Sequence, residues 1–364
     1  MLPSDNPPDI EQELLADYRI FNLTGAHRAI GFSLGAQTPL RTIPKRGPRE
    51  PDPDYAWACL RVIRQFHPGL EAELAGFAEA KGIPLEDLLP HISLNVTNGQ
   101  VGQCSTLGYR TAKGQVVVGR NYDFRYQQQL RYLIHTAPPG YAAHVGTNSG
   151  LVAGRYDGVN EHGLFASLHT VMTDRPVAVS AGIPFHLVVR IVLETVASAS
   201  EAVRLIRSMP LFHSFNYFVC DRQEMYLVEA HPTAVQVSGG RANTLAVTNH
   251  YQHPDLQILH GKRTLAHSRQ RLAYLRHEAD RRRGAADPVA AMQGIMRDHS
   301  SGICGHLDGA ATLWSAVCMP EEQRVAYALG APCRNEYRDF PWPGAQWSAI
   351  PTGTACVIPS GMVR

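Results

Sequence analysis

The chain has 364 residues, 44% of them hydrophobic and 18% charged, with a formal net charge of +2 at pH 7. That is the profile of an ordinary globular protein with ample core to bury, and so small a charge gives no electrostatic basis for binding nucleic acid or an anionic membrane surface. The 17 histidines are scattered, and neither G-x-x-x-x-G-K-[ST] nor a strand-borne G-x-G-x-x-G occurs, which excludes the usual nucleotide loops.

In chain order, residues 1 to about 50 are rich in Pro, Arg and Gly and predict an extended arm and a loop. Helices follow from Ala56 to about His91, where "YAWACLRVIRQF" and "GLEAELAGFAEAKG" space apolar residues three and four apart and Gly82 and Pro84 mark a stop. "PLEDLLPHISLN" predicts one further short helix. From Cys104 the period becomes two, through "CSTLGYR", "QVVVGRNYDF", "YLIHTA" and "HVGTNSGLVAGRYDGVNEHGLFASLHTV", with "DGVNEHG" a turn by composition. Pro184 to Met209 predicts two helices broken near Ser198-Ala199-Ser200. Strands return in "NYFVCD", "MYLVEAHP", "AVQVSGG" and "NTLAVTNHY"; helices cover Arg263 to Arg283 and Val289 to Asp298; "ATLWSAVCMPEEQRVAYALGAPC" is a closing hairpin. Segregated blocks of helices and strands, without a repeat or a linker, predict one α+β layered domain with antiparallel sheets. The basic run "RHEADRRR" is the solvated end of a helix.

Seven widely spaced cysteines and an acidic, proline-bearing N-terminus predict free thiols in the cytoplasm and no secretory leader. The most apolar run, "IPFHLVVRIVLETVASA", carries His186, Arg190 and Glu194, so no membrane span is expected. "CGH" at Cys304-Gly305-His306, with Cys318 and Cys333, hints at zinc, but the paired knuckles of structural zinc sites are missing. The expectation is no metal and no cofactor.

The chemistry concentrates in "NGQVGQCSTLGYRTAKGQVVVGRNYDF", where Arg120 and Asp123 follow Cys104 across a hairpin turn at Ala112-Lys113-Gly114-Gln115. A thiol becomes a nucleophile when a base or a nearby cation favours the thiolate, and an arginine on the neighbouring strand is such a cation. Asp123 stands an odd number of residues from Arg120, so the two share a face only if the strand bends after Asn121. From spacing alone, a buried cysteine with a surface Arg and Asp is the competing reading.

"QCSTLGYRTAKGQVVVGRNYDF" resembles the start of the catalytic chain in the N-terminal-nucleophile cysteine hydrolases of the choloylglycine hydrolase superfamily, closest to peptidase family C45, the acyl-coenzyme A:6-aminopenicillanic acid acyltransferase-like branch. "GVNEHGLFASL", "NYFVCDRQEMYLVEAHP", "LAVTNHY" and "TLWSAVCMPEEQRVAYALGAPC" resemble further family motifs in the same order, so the likeness covers roughly Leu88 to Cys333. The resemblance implies a four-layer αββα fold with two stacked antiparallel sheets. It implies a precursor cut at Gln103–Cys104, with residues 1–103 kept as a helical small subunit and 104–364 as the catalytic large subunit of one structural domain. Cys104 would be the nucleophile, its freed α-amine, of reference pKa about 7.7, the base. Asp123 would hold that group, Arg120 would lower the thiol pKa and orient substrate, and Asn249 would donate to the oxyanion with a backbone N–H near Leu168–His169. Gln103 stands where many members carry Gly, and the family's further arginine has three counterparts, Arg263, Arg269 and Arg271, with Arg263 and Arg271 preferred.

Asn160, His169 and Asn216 are further candidates for oxyanion or substrate contact; an Asx turn, strand packing and backbone capping are their structural readings. Tyr122, Phe124, Tyr126 and Tyr132 fit an apolar acyl pocket or the core equally. The function implied is a self-processing amidohydrolase or acyltransferase acting on a non-peptidic linear amide through a Cys104 thioester. The partner is a small-molecule amide or acyl donor, and a homo-oligomer is left open. The competing classes are an uncleaved small-molecule-binding protein on the same scaffold and a chain with a structural metal.

Overall fold

The switch from helical to period-two patterning is carried through in a computed structural model of the chain, which describes residues 16–40, 53–92, 103–174, 180–263, 265–307 and 309–347 and the backbone of 354–355. The N-terminal third holds β1 (Asp17–Thr24), α1 (His27–Gln37), α2 (Pro53–Phe66) and α3 (Pro68–Lys81). Then come β2 (Ser105–Arg110), β3 (Val116–Arg125), β4 (Leu130–Ala137), β5 (His144–Asn148), β6 (Asp157–Asn160) and β7 (Phe165–Thr170), followed by α4 (Phe185–Thr195) and α5 (Ala199–Ser208). The strands β8 (Phe215–Cys220), β9 (Met225–His231), β10 (Ala234–Gly240) and β11 (Thr244–Val247) precede α6 (Ala266–Arg282) and α7 (Pro288–Met296). The chain closes with β12 (His306–Leu307), β13 (Ala310–Met319), β14 (Arg324–Leu329), β15 (Arg338–Phe340) and β16 (Thr354–Ala355).

Two sheets result, one of nine strands in the order β10-β9-β8-β7-β6-β5-β4-β1-β16, the other running β11-β2-β3-β13-β14-β15 with β12 on β13. Alternation along the strands sorts side chains into three cores. Val116 and Val118 enter the layer between the sheets with Leu133, Val145, Val159 and Phe218. Val117, between them in sequence, turns outward onto Leu272, Leu275 and Met292 of α6 and α7. On the far side, α1 to α5 cover the nine-stranded sheet through residues such as Ile30, Leu60, Leu74, Val188 and Ile206. The layers therefore run helix, sheet, sheet, helix, the α+β αββα architecture expected. The break between α4 and α5 falls where Ser198 caps α5 in a capping box with Glu201.

Two expectations are corrected. Residues 17–37 of the expected arm are a strand and a helix, and β1 pairs with β4 in parallel within an otherwise antiparallel sheet. Gly31 and Gly35 hid the helix, because glycine lowers helix propensity; a Cβ on Gly31 would lie 1.9 Å from the Glu73 carbonyl oxygen, so α1 touches the α3 backbone. Residues 1–15, 41–52 and 93–102, which include Gly102, lie outside the described residues. Among the described residues no helix is long and apolar enough to cross a membrane.

The segment ahead of Cys104 is anchored by charge as well as by apolar packing. Arg190 of α4 meets Glu73 of α3 at 2.7 Å and Glu194 at 2.7 Å, and Glu194 also meets His27 at 3.0 Å and His67 at 2.7 Å.

Candidate active site

The hairpin β2–β3 explains the spacing of the opening motif. A turn closed by the Thr111 N–H to the Gln115 carbonyl (2.9 Å) sets Thr106 opposite Arg120 and Ser105 opposite Asn121. Extending that register brings Gln103 opposite Asp123, and the Gln103 N–H donates to the Asp123 carbonyl at 3.3 Å. Cys104 sits between, 1% exposed, with Sγ 4.0 Å from the same carbonyl oxygen. Opposite Asp123 and Tyr122, β13 slips register between Thr312 and Trp314, a bulge at the site's edge.

Arg120 and Asp123 lie on opposite faces, as their odd spacing requires. Arg120 shares the inter-sheet face with Tyr122, whose ring its guanidinium overlies at 5.6 Å. There Arg120 Nε donates to Asp157 Oδ2 at 2.8 Å, Nη2 to the Leu168 carbonyl at 2.7 Å, and Nη1 lies 3.1 Å from His169 Nε2. Asp157 also accepts from Trp314 Nε1 and the Thr147 hydroxyl, each at 2.8 Å. His169 is fully buried, and burial with the Arg120 charge beside it holds its pKa well below the ordinary value. Asp123 Oδ1 accepts from the Thr312 hydroxyl at 2.7 Å, whereas its Oδ2 is buried without a partner. Burial pushes the Asp123 pKa up to about 7, an effect that Arg271, Thr312, His306 and Arg120 oppose. The Cys104 thiol is likewise pushed up by burial, with Arg120 the strongest influence drawing it down.

The residue that joins these parts is Arg271 of α6. Its Nη1 donates to the carbonyl oxygens of Gln103 (2.5 Å) and Cys104 (2.8 Å) and to Ser105 Oγ (2.7 Å), and Nη2 donates to Asn249 Oδ1 at 3.0 Å. Asn249, just past β11, is held by its N–H to Ser268 Oγ at 3.0 Å and by Nδ2 to the Thr170 carbonyl at 3.0 Å. A narrow cavity, too tight to hold a water molecule, lies beside this group, lined by Gln103, Asp123, Gly305, Leu307, Ala310 and Ala311.

The other sequence candidates stand elsewhere. Arg263 pairs with Asp174 at 2.7 Å at the half-exposed surface and Arg269 is exposed, so of the three arginines only Arg271 faces Cys104. In Asn160, Oδ1 accepts from the N–H groups of His162 and Leu164, and Nδ2 donates to the Leu193 and Val196 carbonyls at the end of α4. The Leu168 N–H donates to the Tyr156 carbonyl (3.1 Å). His169 stands one layer behind Cys104, through Arg120. Asn216 donates to the Thr248 and His250 carbonyls, bracing the Asn249 loop. Tyr122, Tyr126 and Tyr132 belong to the core. Sequence reasoning missed Asp157, hidden in "DGVNEHG" because a glycine-rich run suggests a turn; it is the last strand before one. Ser105 and Thr312 had no signal beyond their strands.

A two-sheet αββα domain with a cysteine at the start of an inner strand and a guanidinium on the peptide bond before it defines a class, and the family follows from comparison. Residues 110–334, more than half the chain, match the model of the acyl-coenzyme A:6-aminopenicillanic acid acyl-transferase family, and the chain belongs to that family. Arg120, Asp123, Asn249 and Arg271 fall within the match; Cys104 lies just ahead of it. By that membership the chain is an enzyme of acyl-transfer chemistry. Among solved structures it is similar to an N-acylethanolamine-hydrolyzing acid amidase ortholog of Caenorhabditis elegans, with 18% identity and TM-score 0.44 over 60% of this chain and 93% of that one. It is also similar to a variant of the conjugated bile acid hydrolase from Clostridium perfringens, with 11% identity and TM-score 0.49 over 67% of this chain and 94% of that one. No curated protein matches the chain.

Proposed function

We propose that the chain is a self-processing cysteine N-terminal-nucleophile enzyme, cut at Gln103–Cys104, that transfers an acyl group from a non-peptidic amide through a Cys104 thioester. The supporting observation is the Arg271 guanidinium, placed on both carbonyl oxygens that flank the Cys104 nitrogen.

In the processing step Cys104 Sγ attacks the Gln103 carbonyl carbon and the thiol proton passes toward Asp123, whose Oδ2 has an open acceptor position. The oxyanion forms on the Gln103 oxygen that Arg271 already holds. The C–N bond then breaks, the acyl group moves to sulfur and the Cys104 nitrogen takes up a proton as an amine. Water cleaves the thioester, releasing the Gln103 carboxylate and the thiol. In the mature enzyme the α-amine of Cys104 is the base for its own thiol, and Asp123 holds the ammonium form. Arg120 draws the thiol pKa down through space and is positioned by Asp157. Asn249 and Arg271 hold the oxyanion of the substrate acyl group. The acyl-enzyme is released to water or to an amine.

Residues 1–103 stay bound after the cut, since β1 lies inside the nine-stranded sheet and Glu73, His27 and His67 close around Arg190 and Glu194. The test is the intact mass of the purified protein beside its Cys104→Ala variant. The expected outcome is two fragments, 1–103 and 104–364, from the former and one 40.0 kDa chain from the latter. Two uncleaved chains after prolonged incubation would sink the proposal in favour of a binding protein on this scaffold.

A further inference from the structure

Outside the Cys104 site, four side chains with soft or borderline donors converge. His299 lies after α7, Cys304 and His306 flank Gly305 ahead of β13, and Cys333 lies in the turn after β14. Their donor atoms all fall within 4.8 Å of one another. His306 Nε2 is 3.6 Å from Cys304 Sγ and 3.2 Å from Cys333 Sγ, and the two imidazole rings are 5.0 Å apart. Zinc bonds of about 2.3 Å to sulfur and about 2.0 Å to nitrogen set tetrahedral donor–donor edges of roughly 3.3–3.8 Å. The two contacts lie on or next to that range, and closing the tetrad needs the remaining separations, none above 4.8 Å, to contract toward it.

We propose that His299, Cys304, His306 and Cys333 form a four-coordinate structural zinc site that clamps the loop after α7 to the turn after β14. Two thiolates with two imidazoles in tetrahedral arrangement select zinc over harder cations, and four protein ligands leave no open position for catalysis. The ion enters as a dication, both thiols release their protons to solvent, the imidazoles bind neutral and no redox change occurs. Cys304 is buried, His306 and Cys333 half-buried and His299 exposed, which gives the ion a route in from the His299 side. The surroundings are already ordered. Asp298 Oδ1 accepts from the N–H (2.8 Å) and hydroxyl (2.7 Å) of Ser301, the Cys304 N–H donates to the Asp298 carbonyl at 2.9 Å, and Arg297 Nε reaches across to the Pro332 carbonyl at 2.9 Å.

The site adjoins the Cys104 cavity. A Cβ on Gly305 would lie 3.4 Å from Asp123 Oδ2, and the Gly305 N–H donates to the Thr312 hydroxyl (2.9 Å) that in turn donates to Asp123. The metal would thus brace one wall of that cavity. The linear order, His299, Cys304, His306 and a distant Cys333, has no paired knuckle, which is why the sequence predicts no metal. The inference rests on this geometry alone and stands apart from the fate of Gln103–Cys104.

The experiment is elemental analysis of the full-length protein purified under reducing conditions, followed by cobalt(II) substitution. The expected result is one zinc per chain, and for cobalt the visible bands of a tetrahedral ion with thiolate charge transfer. His299→Ala, at an exposed position that leaves folding intact by circular dichroism, should weaken zinc binding at least about tenfold against a chromogenic chelator. The double variant Cys304→Ser, Cys333→Ser should abolish the cobalt bands, while Cys318→Ser keeps them. Substoichiometric zinc with no cobalt spectrum, unchanged affinity in His299→Ala, or a Cys304–Cys333 disulfide in the reduced preparation would overturn the proposal.

Discussion

Asp123 and Glu194 are both shut away from solvent, at 3% and 2% exposure, yet their acidities move in opposite directions. Burial pushes both upward. At Glu194 the Arg190 charge and the imidazoles of His27 and His67 outweigh it and hold the carboxyl well below the usual carboxylate range. At Asp123 the nearest cation, Arg271, bonds elsewhere, and the carboxyl stays near pH 7 with one oxygen unpartnered. A buried charge whose partners surround it is a clamp, and one left half-paired is a reagent. The first joins the N-terminal segment to the body; the second lies on the strand beside Cys104, whose Sγ is 4.0 Å from the Asp123 carbonyl oxygen.

The comparison can be broken at its strongest point first. Arg190→Met strands Glu73 and Glu194 together in the core and should cost about 3–5 kcal/mol of stability, read by denaturant unfolding in the uncleavable Cys104→Ala background. A loss below about 1 kcal/mol would mean that the clamp is not electrostatic. Arg271→Met removes the donor on the Gln103 carbonyl and should slow processing by about 10²–10³-fold, followed as the rate at which the full-length mass disappears; an unchanged rate would remove Arg271 from the mechanism.

The opposite acidities predict opposite pH slopes. Asp123 is raised from 3.8 to about 7, so between those values the folded state binds more protons than the unfolded one. Stability in the Cys104→Ala background should therefore fall as pH rises through that window, by at most about 1.4 kcal/mol per pH unit, and Asp123→Asn should flatten that fall. Glu194 is depressed below its ordinary 4.5, so its contribution is present above that value and is lost as pH falls beneath it; Glu194→Gln should remove the acid-side loss. A slope left unchanged by Asp123→Asn would place the titration on another group. The smallest effect belongs to Arg263→Ala, which breaks a half-exposed pair with Asp174 and should cost less than about 1 kcal/mol with processing at the parent rate.

Period-two runs and helical spacing marked nearly every element from Ala56 onward, because local backbone preference and burial agree there. The strand and helix at residues 17–37 escaped because their pairing is remote: β1 borrows its partner β4 more than a hundred residues away, and Gly31 is understood only against Glu73. The opening motif was legible because a hairpin is local, and turn and register follow from adjacent residues. Arg271, by contrast, was one of three arginines that differ in sequence by a few positions on or near one helix. Which of them turns inward is decided by how α6 packs on β2.

The layered α+β class, the hairpin that carries Cys104, Arg120 and Asp123, and the family likeness are legible without coordinates, since each depends on neighbours within one supersecondary unit. That Asp157 supports Arg120, that Arg271 reaches the Gln103 carbonyl and that two cysteines and two histidines meet after α7 emerges from the folded packing. Those contacts join elements far apart in the chain, and their energies depend on burial and charge partners that no linear spacing encodes.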